Sequence, residues 1–203
     1  MKYPGGIVKN KNNIINYGNR GMNLEADINT TNDYYLNNNI AVIYKKPTPI
    51  TINKVDYPSR RDAVITEAHF RTPSTTDYNG IYKGKYIDFE AKECSKTSFA
   101  LSNIHQHQIK HLKRIIEHGG IAFIIVSFTK NQKVFLLNGI DFFNFINENT
   151  RKSIPISFFE KYGFILEYKF NPRLDYLKVI DKLYFKGEYV WKIFLRTKII
   201  SLF

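Results

Sequence analysis

The run Thr75-Thr76-Asp77-Tyr78-Asn79-Gly80-Ile81-Tyr82-Lys83-Gly84-Lys85-Tyr86-Ile87-Asp88-Phe89-Glu90-Ala91-Lys92 decides the fold. Lys83-Gly84 has the form of a two-residue hairpin turn, with glycine supplying a positive φ. The spacing predicts strands over 78–82 and 85–92. Side chains alternate faces along a strand. Ile87, Phe89 and Ala91 therefore share a face that packs on a core, and Asp88, Glu90 and Lys92 share the other.

Working outward, Asn19-Arg20-Gly21 opens a helix whose Leu24, Ile28, Thr31 and Tyr35 recur at helical spacing. Asn37-Asn38-Asn39 ends it, because asparagine favours turns. Ile40 to Tyr44 reads as a buried strand, broken by Lys45-Lys46-Pro47-Thr48-Pro49. Ile50 to Tyr57 alternates as a further strand, Pro58-Ser59-Arg60-Arg61 is a basic turn, and 62–70 reads as strand or short helix. Residues 47–72 thus form a projecting, basic, hairpin-like insertion, with Arg60, Arg61 and Arg71 available to phosphates.

On the other side, 98–118 reads as one long helix, with Ser98 as N-cap and Gly119-Gly120 at the C-cap. Leu101, Ile104, Leu112, Ile115 and Ile116 lie on one face. Ile121–Phe128 and Lys133–Leu137 read as strands. Asp141–Asn147 and Asn171–Phe185 read as helices, with Pro172 in a first turn. This order predicts an α/β (α+β) domain, a mixed sheet flanked by helices.

The chain has 203 residues, 43% of them hydrophobic, enough for one domain with its own core. Thirty Lys/Arg against 18 Asp/Glu give a net charge of +12. That excess points to a polyanion, nucleic acid before an anionic membrane surface. Lone Cys94 excludes an intramolecular disulfide framework and a cysteine zinc module, and fits a reducing cytosol. Met1 to Gly6 carries no apolar signal region. The longest apolar run, Ile121–Val126, is far short of the roughly 20 residues of a membrane span. A soluble or peripheral protein is expected.

Residues 1–18 carry Lys2, Lys9 and Lys11 without an acid and read as a flexible basic arm. Residues 186–203 form a tail. From 188 onward Trp191, Phe194, Leu195, Ile199, Ile200, Leu202 and Phe203 mix with Lys192, Arg196 and Lys198. These apolar positions define no clean helical face, so a docked terminus or dimer contact is favoured over an interfacial membrane helix.

The chemistry lies on the Asp88-Glu90-Lys92 face. Alternate side chains on a strand are on the order of 7 Å apart. Carboxylates held that close repel one another, and a hard divalent cation such as Mg²⁺ or Mn²⁺ relieves the repulsion. Asp77 falls near Glu90 across the hairpin, which gives Asp-x₁₂-Glu-x-Lys. Asp77 and Glu90 would hold the ion. Lys92 would hold the attacking water or neutralise charge developing on phosphate. The competing reading is a solvated strand face with i,i+2 salt links. Gln108, set in the apolar stripe of the long helix, either bonds within the core or points at this site. His105, His107 and His111 could suggest zinc, but no glutamate completes an H-E-x-x-H pattern, and a partly exposed helix face is the preferred reading. Lys83, Lys85, Lys92 and Lys96 surround the carboxylates with the positive charge that a nuclease needs.

Four stretches together resemble the RecU-type Holliday junction resolvases: Asn19–Met22, Ile40–Pro49, Ser74–Glu93 and His107-Gln108. The resemblance spans roughly residues 19–185. It implies a restriction-endonuclease-like fold whose stalk, at 47–72, enters the centre of a four-way junction. It implies a homodimer that makes paired, Mg²⁺-dependent nicks during recombination and repair. By motif match the metal ligands are Thr75, Asp77, Glu90 and Gln108. Lys92 would be the transition-state stabiliser, and Asp88 would tune or complete the catalytic set. The expected DNA contacts are Arg20, Lys45, Lys46, Arg60, Arg61, Arg71, Lys83 and Lys85. A RecA-type strand-exchange recombinase is an expected partner, and a nucleoid-associated place in the cytoplasm follows. The competing functions are a nuclease of the same fold with another DNA target, and a DNA-annealing protein that modulates the recombinase.

Overall fold

The computed structural model describes residues 23–71 and 75–186. The basic arm at 1–18, Arg20 and the tail beyond 186 lie outside the described residues. Helix α1 (Leu24–Asn37) leads into strand β1 (Val42–Lys45). Two hairpins follow, β2 (Ile50–Asp56) with β3 (Val64–Phe70), and β4 (Tyr78–Tyr82) with β5 (Lys85–Cys94). Next come β6 (Ser98–Ala100), α2 (Gln106–Glu117), β7 (Ile121–Phe128) and β8 (Lys133–Asn138). The chain continues through α3 (Gly139–Glu148), β9 (Ser153–Pro155), α4 (Ile156–Tyr162), β10 (Phe164–Leu166) and α5 (Tyr176–Ile180).

The central sheet has the order β1-β4-β5-β7-β8-β10. Only β5 and β7 run parallel; the other neighbours are antiparallel. This is the mixed sheet flanked by helices that the element order predicted. All eight residues of β7 are buried, because helices cover both of its faces. One core joins Ile87, Phe89, Phe123 and Ile125 to α1 and α5 through Ile28, Tyr35 and Tyr176. The other joins Ala122, Ile124 and Val126 to α2, α3 and α4 through Leu112, Phe142 and Phe159. Phe89 lies between two parallel rings, 4.8 Å from Tyr78 and 4.6 Å from Phe123.

The β4–β5 turn is as expected. Lys83 (φ 47°) and Gly84 (φ 74°) both sit in the left-handed region, and Tyr82 pairs with Lys85. A type I′ turn of this kind matches the twist of the flanking strands. The register then sets Tyr78 against Phe89, which brings Asp77 beside Glu90.

Several expectations need correction. The segment from Ile40 is an edge strand; Ile43 and Ala41 are buried, while Ile40, Val42 and Tyr44 are exposed. The ambiguous 62–70 segment is strand β3, paired with β2 as a separate two-stranded sheet. The long helix starts late. Ser98–Ala100 pairs with Ser153–Pro155, which Phe99, fully buried, anchors, so α2 begins after His105. The last helix also starts late. Tyr168 bridges to Leu174, and the Lys169 N–H donates to the Arg173 carbonyl at 3.0 Å, so 171–175 forms a turn ahead of Tyr176. Helix α1 is capped by Asn23, whose side chain accepts from the Glu25 N–H at 3.1 Å. The Leu24 N–H reaches Glu93 Oε1 at 2.7 Å.

Candidate active site

The β5 register places Asp88, Glu90 and Lys92 beside Ala122, Ile124 and Val126, on the face that α2 covers. Asp88 and Glu90 are therefore fully buried rather than solvated. Isolated charges could not stay there without partners. The partners are present. Lys92 Nζ is ion-paired with Glu90 and lies 3.2 Å from Asp77 Oδ2. The Asp77 N–H donates to Glu90 Oε2 at 3.2 Å. Gln108 Nε2 donates to both Glu90 oxygens at 3.0 Å and to the Thr75 carbonyl at 3.4 Å.

Gln108 owes its place to the start of α2. Its Oε1 accepts from the His105 N–H at 3.0 Å, which satisfies one of the otherwise free amides of the helix N-terminus. The buried amide of the apolar stripe is thus fully used, half on the helix and half on the site. In this arrangement Gln108 presents nitrogen, not oxygen, to Glu90.

Asp88 belongs to a neighbouring cluster. It accepts from Lys46 Nζ at 2.8 Å and from the Thr76 hydroxyl. Tyr86 OH and His111 Nε2 each lie 3.1 Å from its Oδ2. His111 is partly exposed, as the sequence predicts, but its contact with Asp88 is not foreseen there, and neither Thr76 nor Tyr86 is singled out. Tyr86 was legible from parity, since it shares the face of Asp88 on β5. His111 lies one turn beyond Gln108, a second signal that was available.

Burial pushes the Glu90 carboxyl up to about 7, with Lys92 opposing the rise and Asp77 adding to it. Burial pulls Lys92 the other way, but Glu90 and Asp77 outweigh it and leave its ammonium raised. Lys92 therefore stays charged and cannot serve as a base. Its chemistry is to hold negative charge.

The donor set suits a hard cation. Two carboxylates and the Thr75 carbonyl offer oxygen in one place, and Glu90 is strained enough by burial to gain from an ion. Gln108 could add its oxygen by turning its amide over, at the loss of the His105 bond. Among the described residues no group of three or more His, Cys, Asp or Glu is placed to hold a metal, so the amide and carbonyl matter here.

The basic residues divide. Arg60 and Arg61 sit at the exposed tip of the β2–β3 hairpin and Arg71 at its exposed base, where the Arg71 N–H donates to the Pro49 carbonyl at 3.0 Å. Lys45 pairs with Glu25 at 2.5 Å on the surface. Lys83 and Lys85 lie at the turn of the β4–β5 hairpin, the end away from Asp77 and Glu90. Lys83 Nζ lies 2.6 Å from Asp181, and Lys85 Nζ reaches the Gly119 carbonyl at 3.4 Å.

Comparison with known proteins agrees with this architecture. A family model described as "RecU: Recombination protein U" matches residues 19–182. A protein of Geobacillus sp. (strain WCH70) named Holliday junction resolvase RecU is 52% identical over 197 residues, covering 91% of this chain and 98% of the relative. One of the same name from Bacillus cytotoxicus is equally similar and equally covered. Another, from Bacillus mycoides (strain KBAB4), is 54% identical over 173 residues, covering 83% of this chain and 86% of the relative. Matches of that identity, running nearly end to end, place the chain in the RecU family.

Proposed function

We propose that the chain is a Holliday junction resolvase, a structure-specific endonuclease that hydrolyses phosphodiester bonds in four-way DNA junctions. One observation carries the reading: in a RecU family member, Asp77, Lys92 and Gln108 meet through direct bonds around the buried Glu90 carboxylate. Asp77, Glu90 and the Thr75 carbonyl would hold a divalent cation, with Gln108 orienting Glu90 or adding its own oxygen. Mg²⁺ is the ion we assign, with Mn²⁺ able to replace it. Such an ion polarises a scissile phosphate and acidifies an attacking water. Lys92, kept charged by its two carboxylates, neutralises charge that builds on the phosphate oxygens. Asp88 acts on the same segment from the next position along the strand.

The family resemblance supports a homodimer, with each copy nicking one of two opposed strands. The exposed hairpin supports it as well. Ile50 faces Phe70 and Val55 faces Ile65, all of them solvent-accessible. A two-stranded hairpin that leaves such residues uncovered is marginal by itself and gains from a partner. The same proposal includes the division into a basic arm at 1–18, a nuclease domain at 19–185 with its stalk at about 47–72, and a tail at 186–203. Interaction with a RecA-type recombinase and a nucleoid-associated, cytoplasmic place belong to it too. No helix among the described residues is long and apolar enough to cross a membrane.

The test uses a synthetic mobile junction and a matched linear duplex, each with Mg²⁺ and with EDTA. Symmetric, Mg²⁺-dependent nicking of the junction alone is the expected result. Equal cutting of the duplex would make the chain a general nuclease of this fold. Binding without cutting under every metal tried would favour a DNA-annealing role.

A further inference from the structure

Lys46 does not sit where a phosphate contact should. Its side chain is 19% exposed, and its ammonium is engaged by Asp88 Oδ2 at 2.8 Å and Thr76 Oγ1 at 3.0 Å. Its backbone N–H donates to the Asp77 carbonyl at 2.8 Å. The Thr76 hydroxyl donates in turn to Asp88, and both residues are buried. One lysine therefore grips the Thr75–Asp77 segment through its main chain and through its ammonium. Asp88 is the anchor, itself held by Tyr86 and His111. From the other side the segment is met by Gln108 at the Thr75 carbonyl and by Glu90 at the Asp77 N–H.

The place of Lys46 in the chain adds to this. It stands between the edge strand β1 and Pro47, at the root of the β2–β3 hairpin. Thr75 to Asp77 follows the other root of the same hairpin. Lys46 thus ties the two roots together beside the carboxylates.

We infer that Lys46 is a positioning residue of the ion site and not a DNA contact: with Asp88 it fixes the Thr75–Asp77 segment against Glu90. This rests on the assignment of Thr75, Asp77 and Glu90 to a divalent cation. A phosphate could recruit Lys46 only by stripping the ammonium from a buried carboxylate, which the low-dielectric interior opposes. Without the Lys46 ammonium the main-chain bond to the Asp77 carbonyl remains, but Thr76 and Asp88 lose the charge that joins them, and the Asp77 carboxylate is held less firmly against Glu90. Groups that orient metal ligands typically change metal affinity by about 10–100-fold when removed.

The experiment measures two properties of the DNA-free or metal-free protein, neither of them turnover. Mn²⁺ binding is titrated on the full chain without DNA, and junction binding is measured in EDTA across a salt series. The variants are Lys46→Met, Lys46→Met/Asp88→Asn and Glu90→Ala. Lys46→Met should weaken Mn²⁺ at least about tenfold and leave the salt slope of junction binding unchanged. Should the single variant fail to fold because Asp88 is left unpaired, the double variant, which removes both charges, carries the same expectation. A DNA contact would behave in reverse, with Mn²⁺ affinity kept and the slope reduced by about 0.9. That result overturns the inference. Glu90→Ala separates the two readings. If it abolishes Mn²⁺ binding while the Lys46 variants bind normally, only the role of Lys46 falls. If it leaves Mn²⁺ binding intact, the ion site is elsewhere and both fall.

Discussion

Removing the Glu90 carboxylate takes away a group that Lys92, Gln108 and the Asp77 N–H all face. Glu90→Ala should abolish junction cutting while junction binding in EDTA stays largely intact, because a buried carboxylate can meet phosphate only through the ion, which EDTA removes. Gel-shift and nicking assays on the same preparation check this, and surviving cleavage would refute the ion assignment. Lys92→Met should behave differently. The oxygens assigned to the ion remain, but the charge proposed to meet the developing phosphate charge is gone. A fall of about 10²–10³ in single-turnover rate is expected, the range seen when a positioned transition-state donor is lost. A rate within a few-fold of the parent would leave Lys92 only its ion pairs with Glu90 and Asp77. These residues were legible in sequence because strand parity is strict: once 85–92 is a strand, Asp88, Glu90 and Lys92 must share a face. The burial of Asp88 and Glu90 was not legible. Parity says which residues are together, but α2 decides whether water reaches them, and its late start at Gln106 was hidden by the pairing of Ser98–Ala100 with β9.

At the scale of elements, the edge of the sheet and the hairpin beyond it set two separate requirements. β1 can lie close against β4 because Gly80 has no side chain. A Cβ there would sit 2.1 Å from the Val42 carbonyl oxygen and 2.5 Å from Ile43 Cα, both main-chain atoms that cannot swing away. Gly80→Ala should therefore push β1 outward and cost about 1–3 kcal/mol, seen as a lower denaturation midpoint. It should also weaken divalent-cation binding, since Lys46 directly follows β1. A variant as stable as the parent would mean that the edge strand can shift freely. The hairpin makes the opposite demand, for charge rather than fit. Replacing Arg60, Arg61 and Arg71 together by alanine should lower the salt slope of junction binding by about 0.9 for each arginine that neutralises a phosphate. An unchanged slope would remove the hairpin from the DNA surface. The hairpin itself was visible in the sequence from its basic turn and proline borders. The lysines were not separable there. Lys45 and Lys46 are neighbours in sequence, yet one meets Glu25 on the surface and the other meets buried Asp88. Alternation sends them to opposite sides, but what each side meets, Glu25 of α1 or Asp88 of β5, is set by the packing of distant elements.

For the molecule as a whole, the site costs stability that an ion should return. With no ion bound, Glu90 holds its proton up to about pH 7 in the folded chain, against an ordinary value of 4.5. The folded state therefore binds more protons than the unfolded state between those values, and stability must fall as pH rises through that window. The contribution is fully present below about pH 4.5 and lost above about 7. Thermal melts of the full chain in EDTA should show the midpoint declining from pH 5 to pH 7.5. Glu90→Gln, which cannot ionise, should remove that part of the decline. Adding Mg²⁺ or Mn²⁺ should raise the midpoint of the parent most at pH 7.5, where the ion no longer competes with a proton, and should do little for the glutamine variant. A parent chain whose pH profile matches that of Glu90→Gln would show that Glu90 is already ionised at low pH. In that case Lys92 alone would balance the carboxylates, and the energetic argument for a cation between Asp77 and Glu90 would fail.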